Sequence, residues 1–271
     1  LAAKLSNTRV IWHLNDTYVP FVFRAFFGLL GKYVDSYIFA SYRTKAYYDS
    51  FCNKNKKWSV IPAPVDTNVF SPSLIDDSIS ISNTQWKGKI VIGMVANISP
   101  VKGIDVFLNA LKIVSTSSHD IVFVVIGPIY ESQIKYFETF KKNIDPQIED
   151  NIVFLGAQKD VRPFLKFFDI YVCTSRFESS PISVWEAMSM GKPIVSTDVG
   201  DVPLYVENNK NGYIIPVGDY QLLADRIMHL LDNPDKISKF GVYSRKVAVD
   251  KLDISICSKK HIDAYNLNFG S

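Results

Sequence analysis

The feature of this sequence that most constrains its fold is the regular alternation of short apolar runs and longer helical segments from Lys89 onward. The apolar runs are rich in Val and Ile, as strands buried on both faces are. Strands that alternate with helices in this way form a parallel sheet with helices on both faces. The predicted strands are Ile90–Val95, Ile121–Ile126, Ile152–Leu155, Ile170–Cys173, Pro193–Ser196 and Tyr213–Ile215. The predicted helices are Ile104–Ser115, Ser132–Lys142, Val161–Lys166, Ile182–Met190, Tyr220–Leu231, Lys236–Val249 and Ile254–Asn266.

A hinge divides the chain into unequal parts. Ser59–Asp66 contains two prolines and is predicted to be an ordered hinge, and the polar stretch Ser71–Lys87 follows it. Before the hinge, Val10–Leu14 and Tyr37–Ala40 are predicted to be strands. The first piece is therefore predicted to belong to a different domain from the regular series.

The predicted fold class is α/β, with a complete C-terminal Rossmann-like domain and a partial N-terminal Rossmann-like domain. Residues 1–64 are the predicted remnant of the N-terminal domain, and residues 65–250 form the C-terminal domain. Residues 251–271 are expected to form a helix that packs back toward the N-terminal domain. Because the chain begins at Leu1, within what reads as the end of a helix before a strand, we expect most of the N-terminal domain to be missing.

Charge and cysteine content exclude several classes of protein. The net charge is +3, from 30 basic and 27 acidic residues, which is too even for a nucleic-acid-binding surface. The cysteines Cys52, Cys173 and Cys257 are an odd number, far apart, and lack metal-ligand spacing. This pattern is typical of reduced thiols in a cytoplasmic protein. No signal peptide is visible and no apolar run reaches the length of a membrane span.

One apolar segment, Pro20–Leu30, has two interpretations. The favoured one is a helix packed into a core; the other is an interfacial helix that touches a membrane. The second interpretation places the protein at the inner face of the membrane.

The segment with the strongest functional signal is Thr174–Gly200, which directly follows a predicted strand. Ser180 is predicted to cap the next helix, with Pro181 at its first position and Gly191 just past its end. The helix therefore begins at the carboxyl edge of the sheet, where ligands of parallel sheets bind.

This helix opening predicts an anion site. The backbone N–H groups of Ser180, Ile182 and Ser183 lack helical partners and suit a diphosphate. Glu178 lies in the loop before the helix, and Glu186 lies about 7–8 Å along its axis. Taken singly, each acid is better explained as a solvated residue. Near a diphosphate, both would accept hydrogen bonds from sugar and ribose hydroxyls.

The spacing Glu178-x7-Glu186, in the setting "TSRFESSPISVWEAMSMGKPIVSTDVG", resembles the signature of family 4 (group 1) retaining glycosyltransferases of GT-B fold. The resemblance covers Val60–Leu231 in the order of its elements. It implies a retaining hexosyltransferase-type enzyme (EC 2.4) that moves a sugar from a nucleotide-diphosphate sugar, and no other cofactor. The acceptor implied is a carbohydrate or glycolipid, as in cell-surface polysaccharide synthesis.

The same resemblance implies residue roles. Glu178 would bind hydroxyls of the transferred sugar and Glu186 those of the ribose. The helix opening at Ser180, Pro181, Ile182 and Ser183 would hold the diphosphate. Because relatives carry a full N-terminal domain with the acceptor site, we expect this chain to be inactive by itself.

A second segment, Gly93–Asp105, follows the first strand of the larger domain. The family shows Gly-Arg and then Lys-Gly here, with both cations on the diphosphate. Lys102 matches the lysine and would stabilise the leaving diphosphate as a catalytic group, whereas Asn97 replaces the arginine. Either Lys102 carries more of the neutralisation or another cation such as Arg176 contributes. The alternative for Lys102 is a solvated lysine at a helix start.

Other parts of the site are less defined. The backbone at Gly156 and Gln158 would contact the nucleobase, without a choice between UDP and GDP. Relatives show His-Asp where this chain has Asn15 and Asp16, with His13 two residues earlier, and the role of these three residues stays open. The remaining histidines, His119, His229 and His261, are predicted to be surface residues, and no metal site is predicted.

Two other functions are alternatives to sugar transfer. A nicotinamide-dependent oxidoreductase needs a Gly-x-Gly-x-x-Gly turn, which "GMVANISPVKG" lacks. A non-catalytic nucleotide-sugar-binding module is the remaining alternative.

Overall fold

The computed structural model of the chain describes residues 3, 6–17, 19–74, 86, 88–117, 119–142, 144 and 146–269. The strands are β1 (Ile11–Leu14), β2 (Ser36–Phe39), β3 (Lys57–Val60), β4 (Ile90–Val95), β5 (Ile121–Ile126), β6 (Ile152–Gly156), β7 (Ile170–Cys173), β8 (Ile194–Thr197) and β9 (Gly212–Ile215). The α-helices are α1 (Phe21–Gly31), α2 (Tyr42–Tyr48), α3 (Ile104–Val114), α4 (Ile134–Lys141), α5 (Pro146–Glu149), α6 (Arg162–Phe167), α7 (Ile182–Ser189), α8 (Tyr220–Leu231), α9 (Pro234–Val247) and α10 (Ile254–Phe269).

The larger sheet has six parallel strands in the order β6-β5-β4-β7-β8-β9. The chain runs outward from β4 to β6, returns to β7 beside β4, and then runs outward in the opposite direction. All six strands were predicted, within about one residue at each end. The predicted α/β class with a parallel sheet is therefore confirmed.

Both faces of this sheet are buried, which explains why its strands are continuously apolar. One face packs against α3 and α8, with Phe107 and Phe123 in its core. The other packs against α7 and the segment after α9, with Trp185 and Tyr171 in its core. Residues 248–252 form a π-helix between α9 and α10, so the two predicted terminal helices are joined by a distorted turn.

The smaller sheet contains three parallel strands in the order β1-β2-β3. Its core holds Leu14, Tyr37, Phe39 and Tyr48. The strand β3 was not predicted, because its sequence, KWSV, is short and half polar and its first two residues are exposed. Its hydrogen bonds with β2 stabilise it as a strand, although its own sequence does not predict one.

The last helix, α10, lies against the smaller sheet. Val65 and Asp253 form a parallel bridge at its start, and Thr67 donates a hydrogen bond of 2.6 Å to Asp253. Further along, Cys257 and Ala264 pack in one buried cluster with Ile38 and Ile61. These contacts support the proposal that residues 251–271 pack back onto the N-terminal unit.

The favoured interpretation of the first apolar segment was wrong. The helix α1 forms as expected, but among its residues only Gly31 is buried, and Phe21 is 83% exposed. The apolar composition of the segment predicted a helix, but it did not predict which of the helix's side chains would be buried. Within the described ranges, no helix combines the length and the apolar character needed to cross a membrane.

Candidate functional site

Two loops meet at the point where the strand order of the larger sheet reverses, between β4 and β7. β4 and β7 are neighbours, and the segments that follow them leave the same edge of the sheet. Parallel sheets of this kind bind ligands in the crevice at such a switch point. The loop after β4 carries Lys102, and the loop after β7 carries Glu178.

Lys102 and Glu178 are in direct contact. The Lys102 Nζ lies 2.6 Å from Glu178 Oε1, and both side chains are largely buried. The same oxygen accepts a hydrogen bond of 2.7 Å from Ser175 Oγ. The sequence predicted both residues at this edge, but it assigned them separate roles and did not predict their ion pair.

The backbone of Lys102 is held against the end of β7. Gly103 has φ of 65°, and a Cβ there would lie 2.1 Å from the carbonyl oxygen of Thr174, so a larger residue does not fit. The Thr174 hydroxyl in turn donates to the Lys102 carbonyl at 2.9 Å. Lys102 lies in a short 3-10 turn, Pro100–Lys102, before α3 begins.

Arg176, which the sequence offered as a second cation for a diphosphate, instead binds residues at the start of this turn and just after it. Its guanidinium binds both carboxylate oxygens of Asp105, at 3.0 and 2.6 Å, and donates to the carbonyl of Pro100 at 2.6 Å. Burial acts to raise the pKa of Asp105, but the hydrogen bonds and charge of Arg176 outweigh it and hold that pKa below its ordinary value. Arg176 therefore fixes the position of the Lys102 turn.

Ser180 does not cap the helix, which corrects the prediction. The helix α7 begins at Ile182, and Pro181 occupies the cap position with no side-chain hydrogen bond. The Ser180 hydroxyl instead accepts hydrogen bonds from the Ala63 amide at 2.9 Å and the Trp185 indole at 3.1 Å. The buried indole needs an acceptor, and Ser180 supplies it.

The first turn of α7 retains the properties of an anion site. Within the described chain, the amides of Ile182 and Ser183 have no acceptor. Ser183 shares a small pocket with Lys102 and Glu178, and Ile182 borders a larger cleft. The helix end, the ammonium group and the carboxylate predicted from sequence thus surround one region.

Glu186 lies one and a half turns into α7 and is half-buried. Among the described residues, no side chain donates a hydrogen bond to its carboxylate. Burial alone raises the pKa of Glu186 to about 7. A hydrogen bond from a ligand hydroxyl would therefore stabilise the charged form of this half-buried carboxylate.

The remaining predicted contacts lie further along the same edge. Asn97 is half-buried in the loop between β4 and the Lys102 turn. Gly156 ends the edge strand β6, two strands away from β4, and has φ of 65°. Gln158 donates to the Leu155 carbonyl at 2.8 Å. Gly156 and Gln158 lie at the end of β6, at the same edge of the larger sheet as Lys102, but two strands away from it.

A cleft of about 550 Å³ separates the two sheets next to this site. His13, Asn15 and Asp16 border it from the N-terminal unit, facing Glu178 and Ser180. The three residues whose role the sequence left open therefore face the candidate site.

His261, predicted to be a surface residue, is half-buried and also borders the cleft. Its ring stacks on His13 at a centroid distance of 5.5 Å, and Tyr265 Oη lies 3.0 Å from His13 Nε2. Burial, followed by the charge of His261, lowers the pKa of His13. Sequence analysis missed this pair because about 250 residues separate its members. His119 and His229 lie elsewhere, beside Asp232 and Lys236.

A hydroxyl cluster joins the two units at the Glu178 loop. Ser179 Oγ lies 2.6 Å from Thr44 Oγ1 and 3.3 Å from Ser41 Oγ. Nearby, Asp201 accepts a hydrogen bond of 2.7 Å from the Tyr42 amide. No sequence signal pointed to this cluster, because serine and threonine are common in loops and at helix caps.

A doubly wound six-stranded unit that faces a second parallel unit across a cleft, with a helix that begins at the switch point, defines a GT-B-type α/β protein. The chain belongs to the glycosyl transferases group 1 family, whose profile matches residues 76–247.

Individual relatives agree with this assignment. The chain is 26% identical over 203 residues to the poly(ribitol-phosphate) alpha-N-acetylglucosaminyltransferase of Staphylococcus aureus, covering 73% of this chain and 40% of the relative. It is 30% identical over 159 residues to the N-acetyl-alpha-D-glucosaminyl L-malate synthase of Bacillus anthracis, covering 58% and 40%. The chain thus spans 40% of the length of these two relatives.

Among solved structures, HepE of Anabaena in complex with UDP superposes with a TM-score of 0.88 at 21% identity, covering 98% of this chain and 74% of HepE. The predicted GT-B fold, here with a six-stranded parallel sheet and a smaller three-stranded parallel sheet among the described residues, is confirmed by this likeness.

Proposed function

We propose that this chain is the donor-binding part of a retaining glycosyltransferase, which moves a sugar from a UDP- or GDP-sugar onto a carbohydrate or glycolipid acceptor. The observation that carries the proposal is the convergence of Lys102, Glu178 and the open amides of α7 at the switch point of the larger sheet.

Each group has a role in donor binding. The amides of Ile182 and Ser183, with the positive end of the α7 dipole, would hold the diphosphate together with Lys102. Glu178 would accept hydrogen bonds from the sugar, and Glu186 from the ribose. Burial alone raises the pKa of Glu186 to about 7 and so disfavours its charged form. A ribose hydroxyl that donates a hydrogen bond to the carboxylate would stabilise the charged form again.

The proposed transfer is a front-face reaction with retention. Glycosyl transfer passes through an oxocarbenium-like state, and a double-displacement route needs a free carboxylate nucleophile. Glu178 is already bound to Lys102 and Ser175, which argues against that role. The leaving diphosphate would instead take the proton of the acceptor hydroxyl, while Lys102 and the helix end stabilise the developing charge. This scheme uses no metal ion.

The relatives suggest which substrates to test first. HepE was solved with UDP, and the Staphylococcus aureus relative is named for transfer to poly(ribitol-phosphate). We therefore propose a role in cell-surface polysaccharide or glycolipid synthesis, in the cytoplasm at the inner face of the membrane.

A donor panel tests the proposal. The chain is mixed with UDP- and GDP-sugars in excess EDTA, and binding is measured by thermal shift and calorimetry. At least one nucleotide sugar should raise the melting temperature. Glu178→Ala should bind the free nucleoside diphosphate normally but lose about tenfold in affinity for the nucleotide sugar, because it lacks the sugar acceptor.

Three outcomes are informative. Stabilisation by no nucleotide sugar, or only after Mg²⁺ is added, contradicts the proposed donor site. Binding without any transfer by a protein that includes a complete acceptor domain supports the non-catalytic module. An inverted anomeric configuration in the product, measured by NMR, contradicts the front-face route.

A further inference from the structure

The helix α1 is oriented with its charge toward the protein. Its single charged side chain, Arg24, is half-buried and donates hydrogen bonds to the Val19 carbonyl at 3.3 Å and the Tyr47 hydroxyl at 3.2 Å. The guanidinium also lies over the rings of Tyr47 and Phe51, with distances of 5.6 and 5.9 Å to their centroids. The polar group of the helix is therefore satisfied inside the protein.

The outward face of α1 is entirely apolar. Its exposed residues are Phe21, Val22, Phe23, Ala25, Phe26, Gly28, Leu29 and Leu30. A helix at the surface of a water-soluble domain normally turns its polar side outward. Here the arrangement is reversed, and a continuous exposed patch of this kind marks an interaction surface.

The positive charge near this helix favours an anionic partner. Residues 1–60 contain nine Lys or Arg and three Asp, a net charge of +6, whereas the whole chain carries +3. Lys32 is exposed at the C-terminal cap of α1. Phe51 and Asn53 lie against Gly28 and Gly31, which brings the exposed Lys54 close to the same end of the helix. Two cations, Lys32 and Lys54, thus lie at the C-terminal end of the apolar face.

We propose that α1 lies flat in the headgroup region of an anionic lipid bilayer, an interaction that goes beyond the proposed transfer reaction. Its 11 residues extend about 16 Å, too short to cross a bilayer but suited to lying in its surface. The phenylalanine face enters the acyl boundary, while Lys32 and Lys54 contact lipid phosphates. A second copy of the chain is disfavoured as the partner, since two such faces would bring positive surfaces together.

Vesicle flotation of the full chain, without any nucleotide sugar, tests this proposal. The wild-type chain should float with vesicles that contain about 30% phosphatidylglycerol and bind pure phosphatidylcholine at least about tenfold more weakly. The double substitution Phe23→Ser/Phe26→Ser should reduce binding to the anionic vesicles at least about tenfold. Val242→Ser, at a residue 72% exposed on α9, is the matched control and should bind as the wild type does.

A charge arm completes the test. Lys32→Glu/Lys54→Glu should weaken binding to the anionic vesicles and leave the weak binding to phosphatidylcholine unchanged. Circular dichroism and thermal unfolding verify that each variant is folded. The proposal is overturned if the wild-type chain stays unbound or if Phe23→Ser/Phe26→Ser floats equally well. It is also overturned if light scattering shows a dimer that this variant disperses, which would assign the face to a second copy. Because no donor is present, these outcomes are independent of the donor-binding experiment.

Discussion

Glu178 and Glu186 differ in surroundings although both belong to the same motif. Glu178 has two donors, Lys102 and Ser175, within 2.7 Å. Glu186 is half-buried and burial raises its pKa to about 7. The first carboxylate is held in place by the protein, whereas the second depends on what binds beside it. This difference leads to a pH-dependent prediction for Glu186.

Glu186→Gln should stabilise the folded chain at pH 8 and have no effect at pH 4. The folded pKa of about 7 lies above the ordinary 4.5, so the stability of the wild type is full below 4.5 and falls as the pH rises through 7. At pH 8 the gain should be about 1–3 kcal/mol, measured by urea unfolding. Glu138→Gln, at an exposed site on α4, is the control. A gain that is equal at both pH values would contradict the assignment.

At the scale of elements, the Glu178 loop is held from both sides. Gly200, at φ of 51°, approaches so closely that a Cβ would lie 2.2 Å from the carbonyl oxygen of Ser179. On the other side, Ser179 meets Thr44 of α2, which is fully buried. The start of α2 therefore sets the position of the loop that carries Glu178.

Thr44→Val should test this coupling. It preserves shape but removes the hydroxyl that lies 2.6 Å from Ser179 and 2.7 Å from Ser41. The expected cost is about 1–2 kcal/mol in unfolding free energy, because the serine hydroxyls lose a buried partner. If the loop also shifts, affinity for the nucleotide sugar falls more than affinity for the nucleoside diphosphate, as calorimetry would show. Thr44→Ser restores the hydroxyl and should recover both. An equal loss for the two ligands would limit Thr44 to a structural role.

At the scale of the whole molecule, α10 connects the two units. It begins beside Val65, next to the larger sheet, and its Ala264 is buried against the smaller one. Within the described residues the smaller sheet has three strands, so this helix supplies a substantial part of its cover.

Ala264→Arg should therefore destabilise the smaller sheet selectively. A charged side chain in this buried cluster should cost about 2–4 kcal/mol. In hydrogen exchange, amides of β2 should lose protection, while those of β5 in the larger sheet keep theirs. Asp263→Arg places the same side chain on the exposed face of α10 and is the matched control. Equal loss of protection in β5 would show that the two units unfold together.

The sequence by itself determined the strands of the larger sheet and the motifs that follow β4 and β7. The continuous apolar strands of the larger sheet, the Lys102-Gly103 pair and the Glu178–Glu186 spacing were readable because neighbours along the chain encode hydrophobic period and local motifs. The α/β class and the GT-B resemblance followed from them.

Only the tertiary structure decided which groups meet. The pairing of Lys102 with Glu178 depends on β7 lying beside β4, and the stacking of His13 on His261 joins the two ends of the chain. Ser180 binds Ala63 and Trp185 instead of capping α7, because a buried indole competes for its hydroxyl. The outward apolar face of α1 was equally undetermined. Hydrophobic periodicity specifies that a face is apolar, but contacts between distant residues decide what covers it.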